Sequence, residues 1–337
     1  MKTLYGIQYL RAIAALAVVL FHAAERLDEN FAIGAAGVDV FFVVSGFIMI
    51  VISQNRNQTP GAFLKDRLLR IAPSYWLATT VMVFGAFAGL FPNLVIDTPH
   101  LIGSYLFLPV LSPNGGALWP VLVQGWTLNY EMFFYLAFAA SLMLAPGRRL
   151  AALSLIFGAL AVVGFAVTTP GTPAFFYTRP LILEFLAGAV IGRLWLSGRV
   201  PRADTGLMLI AVAIFSFTAI YLLRAEFNTF LCAPLAICLV LGVLALEKAD
   251  MLPTLPGLAY LGDASYSIYL WHTFAISVVL KLGLSAGLPT WLILWSGAVI
   301  GTLVGIACYE VIERPLHVFI KHRRIVFRLP GRRVTAD

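Results

Sequence analysis

The 337 residues are 61% hydrophobic and only 12% charged, with a mean hydropathy of +0.91, where a soluble domain carries roughly 25% charged residues. So much apolar surface excludes a water-soluble globular fold and points to an all-α polytopic integral membrane protein. The net charge of +7 comes with no nucleic-acid-binding motif, and basic loops between membrane spans account for its sign.

The first apolar segment, over 5–24, lies in MKTLYGIQYLRAIAALAVVLFHAAER. Arg11 interrupts the run where a secretory signal would stay apolar, so the segment is expected to be a retained helix and not a cleaved leader. Nine further spans are expected over 37–53, 73–91, 124–145, 150–168, 179–197, 205–223, 229–246, 265–283 and 291–312, each near the ~20 residues that cross a bilayer. The longest connection, 92–123, contains LIGSYLFLPVL, which is apolar but too short to span. It is expected to dip into the membrane or lie on it, a suitable place for an acceptor to dock. Cys232, Cys238 and Cys308 sit in apolar runs without metal-site spacing, so they read as small buried hydrophobes and no metal is expected. The expected organisation is one transmembrane domain over 1–313 and a basic tail over 314–337.

With ten helices both termini share a side. The loops on that side hold Arg56, Lys65, Arg67, Arg70, Arg148, Arg149, Arg199, Arg202 and Lys248, and the tail adds seven more basic residues from Arg314 to Arg333. The opposite loops hold only Arg26 and Arg224, with Arg179 at a helix edge. The asymmetry predicts both termini in the cytoplasm, and the tail is expected to meet anionic lipid headgroups.

Ionisable side chains inside spans are costly and mark function. Arg11 and His22 are eleven positions apart, which brings them onto one helical face about 16 Å apart along the axis, Arg11 towards the cytoplasm and His22 towards the outside. Counting depth from the predicted span edges places Asp39, Trp126, Tyr130, Glu131, Arg179 and Glu184 in the outer half with His22. That set suits a general base and a carboxylate that orients it. The same count places Tyr266, Tyr269 and His272 of SYSIYLWH in the inner half, just above Arg67, Arg70 and Tyr75 of RLLRIAPSYW. These make a basic, aromatic vestibule near Arg11 that suits a phosphate-bearing donor. A long, thin donor such as coenzyme A fits this two-sided arrangement, with its nucleotide in the cytoplasm and its neutral arm threaded into the bundle.

These pieces together resemble the membrane-bound acyltransferase family 3, in particular its polysaccharide O-acetyltransferases. The resemblance rests on Arg11 and His22 as an R-x10-H pair, GVDVFFVVSGF over 37–47, RLLRIAPSYW over 67–76, WTLNYEMFFY over 126–135, SYSIYLWH over 265–272 and ERP over 313–315. It implies transfer of an acyl group, usually acetyl, from cytoplasmic acetyl-CoA to a hydroxyl of an extracytoplasmic or lipid-linked polysaccharide at the bacterial inner membrane. It further implies that His22 is catalytic, that Arg11 is its motif partner and that Arg67 and Arg70 lie on the donor side. Glu131 and Asp39 are the acids expected to support His22. No appended hydrolase-like domain is expected, so transfer would finish in the membrane domain or pass to a separate protein. The competing readings are a polysaccharide or small-solute transporter, against which no inverted repeat is visible, and a non-catalytic partner of polysaccharide-assembly proteins.

Overall fold

A computed structural model describes residues 4–54, 58–224 and 228–326. Thirteen helices occur in it: α1 (Tyr5–Glu25), α2 (Gly37–Ser53), α3 (Pro60–Phe87), α4 (Thr98–Leu106), α5 (Trp126–Ser141), α6 (Pro146–Val163), α7 (Pro173–Tyr177), α8 (Ile182–Leu196), α9 (Ala203–Leu222), α10 (Thr229–Lys248), α11 (Pro256–Ser285), α12 (Thr290–Cys308) and α13 (Arg314–Val326). No strand occurs among the described residues. Short 3-10 turns lead into α2 and α5, and a π turn over Tyr309–Glu313 joins α12 to α13. Arg56 and the tail beyond residue 326 lie outside the described residues.

Helix starts follow local chemistry. The Thr59 hydroxyl accepts from the Ala62 amide with Pro60 in the first turn of α3, and the Asp97 carboxylate accepts from the His100 amide at α4, each satisfying a donor the helix leaves free. α1 has no cap of its own; the Glu247 carboxylate on α10 accepts from the Tyr5 and Gly6 amides instead. That contact ties the positive end of α1 to a negative side chain.

Nine of the described segments are long and apolar enough to cross a membrane, so the chain is a multi-pass membrane protein. The span expected over 124–145 is a helix of only 16 residues, α5, and it is not among those nine. Two spans begin well before the expected edges. α3 starts at Pro60, not 73, and α11 starts at Pro256, not 265. Hydropathy ended both at polar residues, Arg67 and Arg70 in one and Asp263 in the other, yet these continue the helix and line an internal cleft.

α1, α2 and α11 form the centre, and α9 and α6 the rim, where most side chains face outwards. α2 and α8 touch backbone to backbone. A Cβ at Gly46 would collide with the Phe185 carbonyl and one at Gly188 with the Val43 carbonyl, the close approach that small residues permit between membrane helices. α5 meets α6 and α8 through Phe134, which lies 5.9 Å from Phe157 and stacks on Phe185 at 4.7 Å, and it meets α2 through Phe42, which packs on Trp126 and Tyr130 and stacks on Phe185 at 4.5 Å.

Candidate active site

Two cavities meet at Arg11. A narrow one of about 120 Å³ lies between α1, α2, α3, α5 and α11, and a wider cleft of about 430 Å³ opens beside Gln8, Asp263, Glu313 and His317. Arg11, Ile48 and Arg70 border both, so the two adjoin there. The narrow cavity follows α2 from Met49 to Val38, eleven residues or about 16 Å of helix rise.

The mouth of the narrow cavity is basic. Arg11, Arg67 and Arg70 line it, against the single carboxylate of Glu131. Arg11 is aimed by a relay: its Nη1 donates to Gln8 Oε1 at 3.0 Å, and Gln8 Nε2 donates to Asp263 Oδ1 at 2.6 Å. The buried Nε of Arg67 has no hydrogen-bond partner among the described residues. Glu131 is engaged from two sides, by the Ser45 hydroxyl at 3.2 Å and by the Tyr135 hydroxyl. Tyr266 donates to the Ile71 carbonyl at 2.8 Å, and Ser267 to the buried Glu313 at 2.5 Å. Glu313 lies in the π turn, a local irregularity that often aims side chains at functional sites. Guanidinium groups with too few carboxylates bind anions, phosphates above all, through charge-assisted hydrogen bonds.

The other end of α1 carries a histidine pair. The His22 and His272 rings stack with centroids 5.2 Å apart and planes at 26°. His22 Nδ1 lies 3.2 Å from Glu25 Oε2. A carboxylate only accepts, so the assigned tautomer carries its proton on Nδ1 and leaves Nε2 as the basic nitrogen. His272 Nδ1 donates to the Ile268 carbonyl at 2.9 Å, and its buried Nε2 has no partner among the described residues. The two rings differ in access: the His22 side chain is 22% exposed and His272 is fully buried. Only His22 can meet an incoming group.

Tyr269 joins the two regions. It borders the far end of the narrow cavity, and its ring centroid is 6.2 Å from that of His272. Its hydroxyl donates to the Gln124 carbonyl and is paired with Thr127 Oγ1, each at 2.9 Å. Gln124 Nε2 in turn donates to the Leu270 carbonyl at 2.8 Å and to Thr273 Oγ1 at 2.9 Å. The line from cleft to cavity to Tyr269 to His272 to His22 crosses the whole bundle.

Three expected depths are corrected. His272 was expected near Arg11 and stacks on His22, because α11 starts nine residues early and carries His272 sixteen positions, about 24 Å, into the helix. Glu131 was expected beside His22 and lines the basic cavity with Arg11, because α5 starts at the level of Tyr269, where Thr127 bonds it. Asp39 was expected beside His22 and turns towards Glu184. Gly37 packs on the Ala14 carbonyl and Val18, so α2 begins about one turn short of His22.

Other candidate residues sit in packing roles. Arg179 donates to the carbonyls of Phe175, Gly164 and Val167 at 3.2–3.4 Å, with its guanidinium 3.6 Å over the Phe175 ring. Tyr130 donates to the Phe176 carbonyl at 2.6 Å and stacks on the Phe176 ring at 4.0 Å. Trp126 packs edge-on against Tyr130 and Phe42. Tyr75 is fully buried against Phe107 and the Gly125 backbone. Sequence reasoning passed over Gln8, Glu25, Gln124, Thr127 and Glu313. Gln8 precedes Arg11, and Glu25 follows His22, by three positions on the same helical face, so that spacing was available as a signal.

A helical membrane protein with an arginine-lined cavity towards one end of α1 and an accessible histidine towards the other has the layout of a transmembrane group-transfer enzyme. Residues 4–310 match the family described as the acyltransferase domain, acyltransferase family 3, and the chain belongs to that family and is an O-acyltransferase. It is 52% identical over 316 residues to the exopolysaccharide production protein ExoZ of Rhizobium meliloti strain 1021, covering 93% of this chain and 99% of ExoZ. It is 27% identical over 308 residues to the peptidoglycan O-acetyltransferase OatA of Listeria monocytogenes serovar 1/2a, covering 80% of this chain and 49% of OatA. No solved structure matches the chain.

Proposed function

We propose that this enzyme moves an acyl group, acetyl in the first instance, from acyl-CoA in the cytoplasm to a hydroxyl of a polysaccharide or lipid-linked glycan on the far side of the bacterial inner membrane. The observation that carries this reading is the cavity that is lined by Arg11, Arg67 and Arg70 and also by Tyr269, whose ring neighbours the histidine pair. The similarity to ExoZ supports an exopolysaccharide as the acceptor. Counting α5 as a tenth span keeps both termini, and the basic tail over 314–337, on the cytoplasmic side.

In this reading the donor's phosphates pair with Arg11, Arg67 and Arg70, and its neutral arm lies along α2 past Tyr266 towards Tyr269. Glu131 and the Gln8–Asp263 relay keep the arginines apart and aimed. The acceptor hydroxyl approaches His22. His22 Nε2 removes the hydroxyl proton as the oxygen attacks the thioester carbonyl, and Glu25 fixes the tautomer and stabilises the imidazolium that forms. Collapse of the tetrahedral adduct breaks the carbon–sulfur bond, and the proton on His22 passes to the departing thiolate. The products are the glycan ester and free CoA. His272 packs beneath His22 and holds the ring in place. Asp39, Glu184, Trp126, Tyr130 and Arg179 support the walls and touch neither reactant.

Purified protein in vesicles, given labelled acetyl-CoA and acceptor glycan, tests this directly. Label on glycan hydroxyls that is lost in His22→Ala at matched abundance supports the enzyme. Glycan that crosses the membrane without acylation supports the transporter instead.

A further inference from the structure

We infer that Tyr269, braced by Thr127 and Gln124, sets the largest acyl group that this enzyme transfers. The inference rests on the proposed function above and concerns the far end of the donor channel. There Val38, Thr127 and Tyr269 line the cavity, and the Tyr269 ring neighbours that of His272, which stacks on His22. A thioester threaded from the arginine end must therefore bring its acyl carbon past Tyr269.

That ring is held rigidly. Its hydroxyl makes two hydrogen bonds, to Thr127 and to Gln124, and Gln124 is itself fixed to Leu270 and Thr273. All of these groups are buried. Phe41 backs the ring edge-on at 6.0 Å. A buried, fully satisfied network resists displacement, because swinging the ring aside would leave its polar partners unpaired. An obstacle of this kind selects by size. A two-carbon acyl group carries one methyl past the ring, while a four-carbon group carries two further methylenes against it. The chemistry is the same for either: the carbon–sulfur bond breaks, the ester carbon–oxygen bond forms, and the hydroxyl proton reaches the thiolate through His22.

The test measures kcat/KM for acetyl-CoA and butyryl-CoA with the full chain in vesicles and an acceptor glycan, reading products by mass spectrometry. Discrimination by one methylene in a tight pocket is worth about 10–200-fold. Tyr269→Ala is therefore expected to raise the butyryl-to-acetyl ratio by about tenfold or more, and Thr127→Ala to raise it less. Tyr269→Phe, which keeps the ring but loses both of its hydrogen bonds, is expected to fall between the two. An unchanged ratio in an active Tyr269→Ala protein overturns the inference and leaves the proposed function standing. If Tyr269→Ala does not fold, Thr127→Ala decides by the same ratio, and inactivity of both with every donor makes the brace a positioning element and overturns the size limit. A wild-type protein that transfers from no acyl-CoA overturns the proposed function, and this inference with it.

Discussion

The contact between His22 and Glu25 gives the sharpest single prediction. Glu25→Gln keeps the size and the hydrogen-bonding reach of the side chain but removes the charge that faces the imidazolium in the transition state. A hydrogen bond to a charged group contributes about 1.5–3 kcal/mol when shielded. Here the Nδ1–Oε2 separation is 3.2 Å and the Glu25 side chain is 56% exposed, so solvent screening reduces the benefit to about 1 kcal/mol. That corresponds to roughly a fivefold loss of rate. Removing the base itself costs far more, at least about 100-fold for His22→Ala. The assay is single-turnover transfer from saturating labelled acetyl-CoA at matched protein in vesicles. A Glu25→Gln rate equal to wild type would refute the tautomer-fixing role, and a loss as deep as that of His22→Ala would show that Glu25 does more than orient the ring.

Three further outcomes follow from other contacts. Arg67→Ala or Arg70→Ala should weaken acyl-CoA binding about 10–100-fold while changing kcat less, measured as separate KM and kcat values; unchanged KM in both would move the donor site elsewhere. Gly46→Val and Gly188→Val force a side chain into a facing backbone carbonyl and should each destabilise the fold by at least ~2 kcal/mol, read as a lower unfolding midpoint in detergent. Gln124→Leu strands the Thr273 hydroxyl and removes a second bond to the Leu270 carbonyl and should cost about 1–3 kcal/mol of stability by the same measurement.

What the sequence revealed, and what it hid, has a physical pattern. The membrane class, most spans, and the shared face of Arg11 and His22 follow from composition and helical periodicity, which are local. Depth is not local. It was counted from hydropathy edges, and hydropathy cannot tell an arginine in a loop from an arginine on an inward-facing helix turn. α3 and α11 therefore begin earlier than the apolar runs they contain, and His272 travels with its helix to His22. The reverse error moved Glu131 and Asp39 outwards, because α5 and α2 start below the level of His22. Pairings across the bundle are the least legible. Gln124 bonds Thr273 across 149 positions, and nothing near either residue announces the other. The i, i+3 spacing of His22 and Glu25 was readable and shows that short-range geometry carries part of the site.

The central claim is that a donor on the Arg11 side and an acceptor on the His22 side react across the membrane. Oriented vesicles test it most directly, with labelled acetyl-CoA confined to one face and acceptor glycan to the other. Labelled ester is expected on the glycan only when the donor is on the Arg11 face, and none in His22→Ala. Equal labelling from either face, or glycan that crosses unacylated, would contradict it.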